Sequence, residues 1–151
     1  MTDNDCILIA GAGPVGMTTG LALAKAGIPV KVFDGLAEIP RDHRASTLHP
    51  STLAMTESLG MVPEMLRRGI ESPLFQFRDR VSKRIVAEFD YGLISDTVPY
   101  PYALQLEQHK IIEIARDLAL KHDCFELLRE REVVGLTQDD DGVEITVETP
   151  D

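Results

Sequence analysis

The chain has 151 residues, with 15 Lys plus Arg against 25 Asp plus Glu and a formal net charge of -10. That length fits about one domain. With 44% hydrophobic and 26% charged residues, a disordered, collagen-like or coiled-coil chain is excluded and a packed core is expected. The acidic balance repels polyanions, and the one basic doublet, Arg67-Arg68, has no interleaved aromatics, so no nucleic-acid partner is expected.

The longest apolar stretch, from Cys6 to Ala26, is broken by Gly11, Gly13, Pro14, Gly16, Gly20 and Lys25, and no membrane span is expected. Asp3 and Asp5 stand where a secretory signal would be basic, which points to a soluble, cytoplasmic chain. Cys6 and Cys124 lack any Cys-x-x-Cys or Cys/His spacing and are expected to be unpaired thiols beside apolar runs.

Cys6 to Ala10 is a continuous apolar run of strand length, as for a strand buried on both faces of a parallel sheet. Gly11-Ala12-Gly13-Pro14-Val15-Gly16 follows at once. From Pro14 to Ala26, Val15, Leu21, Ala22 and Ala24 with the small Gly20 suit a helix lying close on a sheet, and Gly27 is placed to end it. Val30, Val32 and Phe33 then form a second strand ending at Asp34. The fold class is α/β, a Rossmann-like βαβ fold for FAD or NAD(P).

Each residue type in this unit has a physical reason. Gly11 permits the tight turn, Gly13 lets a pyrophosphate approach the backbone, and Gly16 and Gly20 let the helix lie close to the strands. The N-terminus of the helix offers unpaired N–H groups and a positive dipole end to a diphosphate. Asp34, eighteen residues after Gly16, can accept hydrogen bonds from adenosine ribose hydroxyls and would repel a 2′-phosphate. The fingerprint by itself leaves NAD and FAD open.

Residues 35–48 are polar and turn-rich rather than a prompt third strand. Pro50 to Leu59 read as a short helix with Gly60 at its end, and Pro63 to Arg68 as a further helical turn stopped by Gly69. Phe75 to Phe77 and Ile85 to Phe89 read as a hairpin around a charged tip, Asp79 to Lys83. Ile111, Ile114, Ala115 and Leu118 recur at helical spacing between Glu107 and Lys121, with a strand expected from Phe125 to Leu128. Val133 to Thr137 and Val143 to Val147 form a last hairpin across a D-G turn, whose aspartate run is a solvated turn rather than a metal site. The βαβ fold thus carries β-hairpin excursions. His43, His49, His109 and His122 have no ligand spacing, no metal is expected, and the Ser46, Ser51, Thr52 cluster lacks a nucleophile-elbow pattern.

Gly11 to Asp34, RDHRASTLHPSTL over Arg41–Leu53, and LQLE over Leu104–Glu107 together resemble the N-terminal part of FAD-dependent aromatic-ring monooxygenases related to 4-hydroxybenzoate and phenol hydroxylases. The likeness runs through nearly the whole chain. It implies that Gly11, Gly13, Pro14, Val15 and Gly16 line the FAD diphosphate and that Asp34 holds the ribose, where the family more often has glutamate. It further implies Arg44 near the diphosphate and ribityl chain, with Arg41 a weaker candidate for the same surface, Gln105 on the ribityl side, and Val133 meeting adenine through its backbone.

Departures from the family are Gly35, where a basic residue is frequent, and Ser51, where many members carry arginine. The resemblance also implies that residues 1–151 are an incomplete, truncated FAD-binding domain, with catalytic residues and a substrate domain elsewhere, and that the isolated piece binds FAD weakly or not at all. In such an enzyme NAD(P)H reduces FAD, and reduced flavin activates O2 to hydroxylate an aromatic substrate. The alternatives are a NAD(P)-dependent dehydrogenase, another flavin oxidoreductase such as a halogenase, or a catalytically silent nucleotide-binding module. An unfinished sheet edge would also invite homo-oligomers.

Overall fold

The computed structural model of the chain describes residues 6–42 and 44–150, so Asp3, Asp5 and His43 lie outside the described residues. The chain divides into two compact units, residues 1–42 with 111–151, and residues 43–110.

The first unit opens with β1 (Ile7–Ala10), α1 (Pro14–Lys25) and β2 (Val30–Asp34). β1 and β2 pair in parallel, with Ile7 beside Val30 and Ala10 beside Phe33. Helix α1 buries Met17, Gly20, Leu21 and Ala24, one stripe at helical spacing. Val15, expected on that stripe, is instead 79% exposed: it lies two residues from Met17 and therefore on the opposite side of the helix. Ala22 is exposed for the same reason. The stripe sits close to the sheet, since a methyl group added at Gly20 would meet the Phe125 ring at 2.9 Å and Val32 at 3.0 Å. Gly27, in the left-handed region at φ +75°, ends the helix by donating its N–H to the Ala24 carbonyl.

The second unit contains β3 (Thr47–Leu48), α2 (Pro50–Glu57), α3 (Val62–Arg68), β4 (Ile70–Ser72), β5 (Leu74–Arg78), β6 (Ile85–Asp90) and β7 (Ala103–Gln105). Strand β7 is the centre of a three-stranded antiparallel sheet, flanked by β3 and β4, with Gln105 opposite both Thr47 and Ile70. Leu53, Met61, Met65, Leu104 and Leu106 form its fully buried core. Thr56 is buried among them and donates its hydroxyl to carbonyls of the preceding turn, Thr52 at 2.9 Å and Leu53 at 3.1 Å, so the polar group is satisfied. Strands β5 and β6 form the expected hairpin, with Phe75 opposite Phe89. A 3₁₀ turn over Tyr91–Ile94 follows, capped by the Asp90 carboxylate, which accepts the Gly92 N–H at 2.7 Å.

The chain then enters α4 (Gln108–Ala119), whose apolar face buries Ile111, Ile112, Ile114 and Ala115 in the first unit. Strand β8 (Phe125–Arg129) joins β2 in parallel and completes the order β1-β2-β8. β2 is thus paired on both edges, and Val30 and Val32 are fully buried. β1 pairs only with β2 among the described residues, and Ile7 is 47% exposed, which corrects the expectation of a strand buried on both faces. The unit ends in the antiparallel hairpin β9 (Glu132–Gln138) and β10 (Val143–Glu148). Its turn is closed by Asp139, whose carboxylate accepts the N–H groups of Asp141 and Gly142 at 2.9 and 3.0 Å, which accounts for the first aspartate of the run.

Candidate functional site

The sharpest backbone feature of the first unit is the turn from β1 into α1. Gly11 sits at φ +98°, outside the range that side-chain-bearing residues favour, and its N–H donates to the Phe33 carbonyl at 2.7 Å. At Gly16 the reason for glycine is contact rather than conformation. An added Cβ would stand 2.0 Å from the Gly11 carbonyl oxygen, so the first turn of α1 can fold against the loop only if position 16 has no side chain.

Gly13 differs from both. It is the residue before the first helical position, in extended conformation, and an added Cβ would have nothing within 4 Å. Its own neighbours therefore do not require glycine here. Pro14 opens the helix without an N–H to satisfy, and Met17 is the first residue to close a helical bond, donating to the Gly13 carbonyl at 2.9 Å. The amides of Val15 and Gly16 lie within the first turn, where the helix itself supplies no acceptor. No side chain caps this end and its first turn holds no acid, so neither competes with an anion.

Asp34 closes β2 beside the same turn. Its Oδ2 accepts the Ala12 N–H at 2.7 Å and its Oδ1 accepts the Leu36 N–H at 2.9 Å. An open cleft of about 370 Å³ lies over these strand ends, with Gly11, Asp34, Gly35, Arg131 and Val133 in its walls. Thus the first glycine, the acid and the β9 valine singled out in the sequence share one cleft, while Val15 points into solvent from the first turn of α1. Gly35 lies under Glu132, whose Cβ would be 3.2 Å from an added methyl, so a longer residue at position 35 would crowd that wall.

Arg44 and Gln105 belong to the second unit. Arg44 is exposed just before β3, and Gln105 is half-buried in β7, accepting the Thr47 hydroxyl at 3.0 Å through its Oε1. Arg41 belongs to the first unit, where it pairs with Glu113 at 3.1 Å. Sequence reasoning missed Ala12, whose amide reaches Asp34, and Arg129, which ends β8 with its Nη1 3.3 Å from Asp34 Oδ1. Complementary charges on neighbouring strand ends were a usable signal for Arg129, but only with the register of β2 against β8 in hand.

Among the described residues no cluster of His, Cys, Asp or Glu could hold a metal ion, and no helix is long and apolar enough to cross a membrane. Neither cysteine is in a disulfide and both are half-buried; the Cys124 thiol lies 3.4 Å from the Ala24 carbonyl oxygen.

A turn that offers helix-end amides beside a carboxylate at the next strand end is built for a dinucleotide, and comparison with known proteins decides which. The model of the FAD binding domain matches residues 5–151. The chain belongs to this FAD binding domain family. It is 29% identical over 150 residues to para-nitrophenol 4-monooxygenase of a Pseudomonas species, covering 99% of this chain and 37% of that protein. It is 32% identical over 115 residues to 6-methylpretetramide 4-monooxygenase of Streptomyces rimosus, covering 76% of this chain and 20% of the relative.

Among solved structures, that of p-nitrophenol 4-monooxygenase from Pseudomonas putida superimposes with a TM-score of 0.93 at 27% identity, covering 97% of this chain and 37% of the other. Aklavinone-11 hydroxylase, solved with FAD and aklavinone, shares the fold at a TM-score of 0.84, 24% identity, with 99% and 31% covered. This FAD-binding chain therefore spans between a fifth and two fifths of the length of these relatives. Its residues fit the cofactor's adenosine diphosphate half: space over Gly13, uncapped amides in the first turn of α1, and a carboxylate in the cleft wall.

Proposed function

We propose that this chain forms the adenosine diphosphate side of the flavin site in a cytoplasmic, NAD(P)H- and O2-dependent monooxygenase that hydroxylates an aromatic ring. The observation that carries the reading is the contrast between Gly16, where the fold itself forbids a side chain, and Gly13, where the fold leaves open space that suits a diphosphate. When bound, the flavin supplies the redox chemistry and oxygen activation. What the chain supplies is position and charge.

The amides of Val15 and Gly16 would donate to the diphosphate at the positive end of α1, with Gly11 and Gly13 allowing close approach and Pro14 presetting the helix. Asp34 would accept from the adenosine ribose and Val133 would meet adenine through its backbone. Arg44 and Gln105 are proposed to serve the diphosphate and ribityl chain. Proposed proton-transfer and substrate-orienting groups are assigned to the part of the protein beyond this chain, in keeping with its share of the relatives' length.

The test separates ligand binding from folding. In the protein that carries this domain, Gly13→Ala should leave the melting temperature nearly unchanged, because the methyl meets nothing, yet lower FAD affinity by about tenfold or more through its clash with the diphosphate. A Gly13→Ala protein that binds FAD as the parent does would remove the diphosphate assignment. The absorption spectrum of the same protein, and NAD(P)H oxidation with a panel of phenols, test the flavin and aromatic parts of the reading.

A further inference from the structure

Arg129 ends β8, and the parallel register sets it directly beside Asp34 at the end of β2. Its Nη1 lies 3.3 Å from Asp34 Oδ1, and both side chains are largely sheltered, at 19% and 15% exposure. The same Oδ1 accepts the Leu36 N–H, and Oδ2 accepts the Ala12 N–H. A carboxylate offers about four lone-pair positions. Backbone N–H groups fill two of them, one on each oxygen, and the Arg129 guanidinium lies against Oδ1 as its ion-pair partner.

Asp34 is therefore a staple before it is a ligand contact. Through one carboxylate it joins the glycine turn, the loop after its own strand and the end of the third strand. We infer that Arg129 is a positioning residue for the adenosine side of the site: it holds the Asp34 carboxylate in the orientation that fixes Ala12 and, by lying against Oδ1, leaves Oδ2 as the single acceptor oxygen open to a ribose hydroxyl. The ribose half of this inference rests on the flavin reading above, whereas the staple does not.

Removing one partner of a sheltered ion pair leaves the other charge uncompensated. Without Arg129, Asp34 gains by turning toward water, and the Ala12 amide loses its acceptor. The guanidinium does this work through one nitrogen, since its Nη2 is buried with no hydrogen-bond partner. Arg129 acts here as a positioned charge and not as a two-pronged fork, so a lysine can replace it.

The experiment compares Arg129→Leu with Arg129→Lys in the protein that carries this domain. Amide exchange at Ala12 is read by NMR in cofactor-free protein, and FAD affinity by titration calorimetry. Arg129→Leu should speed Ala12 exchange and weaken FAD binding, each by about tenfold, while Arg129→Lys stays within about threefold of the parent on both. With the unaltered protein, FAD analogues lacking either the 2′- or the 3′-hydroxyl of the adenosine ribose should differ: loss of one hydroxyl weakens binding and loss of the other does not.

Unchanged Ala12 exchange in Arg129→Leu overturns the staple, and equal weakening by both deoxy analogues overturns the single acceptor. Should Arg129→Leu fail to fold, an Arg129→Lys protein that loses Ala12 protection or FAD affinity as a neutral variant would also overturns the positioned-charge role. If the unaltered protein binds no FAD, the flavin reading falls while Ala12 exchange still decides the staple.

Discussion

The two units handle their apolar strands in opposite ways. In the first, β2 is paired on both edges and covered by α1, and Val32 is fully buried. In the second, the β5–β6 hairpin carries Phe75, Phe77 and Phe89 on one face at 48%, 54% and 56% exposure, with the rings touching mainly one another in edge and tilted contacts. The strand that ends at Asp34 is embedded in a closed core, whereas the hairpin holds its shape by cross-strand pairing, ring contacts and side-chain hydrogen bonds at its surface. Burial and strand pairing are concentrated beside the glycine turn, on the elements that hold its amides in place.

The largest expected effect comes from breaking that concentration at its tightest point. Gly16→Ala places a methyl 2.0 Å from the Gly11 carbonyl oxygen, a backbone atom that cannot swing aside. The helix start must lift off the turn, at a cost of about 3 kcal/mol or more. Chemical denaturation should show this loss, and FAD binding should fall with it. Gly16→Ala and Gly13→Ala thus form a pair three residues apart with opposite signatures, one in stability and one in affinity alone.

The next effects test the contrast between the strands directly. Val32→Ala opens a cavity in the centre of the first unit and should cost about 2 kcal/mol. Phe77→Ser removes a far larger side chain, yet one already half in water and bordered mainly by two other rings, and should cost under about 1 kcal/mol. Urea midpoints of the two variants would settle the order. A Phe77→Ser loss equal to that of Val32→Ala would mean that the hairpin face is buried in solution.

Much of the first unit is legible in sequence because its signals are local. The apolar run before Gly11, the spacing to Gly16, the Gly27 helix end and the stop at Asp34 all act within about thirty residues. The Asp-Gly turn of the β9–β10 hairpin is legible for the same reason. The sheet of β3, β7 and β4 is not: its strands have two or three residues, too few to show a period, and Thr47 meets Gln105 across 58 positions. The site divides the same way. Why Gly11 and Gly13 are glycines can be read from the motif, but the Ala12 amide on Asp34 and the ion pair with Arg129 exist only once the register of three strands is fixed.

The smallest effect concerns a second carboxylate that also accepts from arginine, in a different setting. Glu64 on α3 accepts from Arg67 and from Arg68 in the last turn, and these hydrogen bonds, Arg67 first, hold its carboxyl down from the ordinary 4.5 to about 2. The folded state thus favours the ionised form, and between those values the unfolded chain binds more protons. The stabilisation is present in full above pH 4.5 and is lost as pH falls toward 2. Because the pair is open to water, its size is that of a surface ion pair and falls with added salt. The melting-temperature difference between the parent and Glu64→Gln should be small near neutrality, narrow on acidification through this window, and narrow again at high salt. Asp34→Asn should show a larger loss that salt leaves nearly untouched, since Arg129 and Asp34 are sheltered from ions. If the Glu64 difference widened as pH fell, the arginine hydrogen bonds would not be what lowers its pKa; if Asp34→Asn were as salt-sensitive as Glu64→Gln, the two carboxylates would be equivalent surface pairs and the staple under the glycine turn would lose its support.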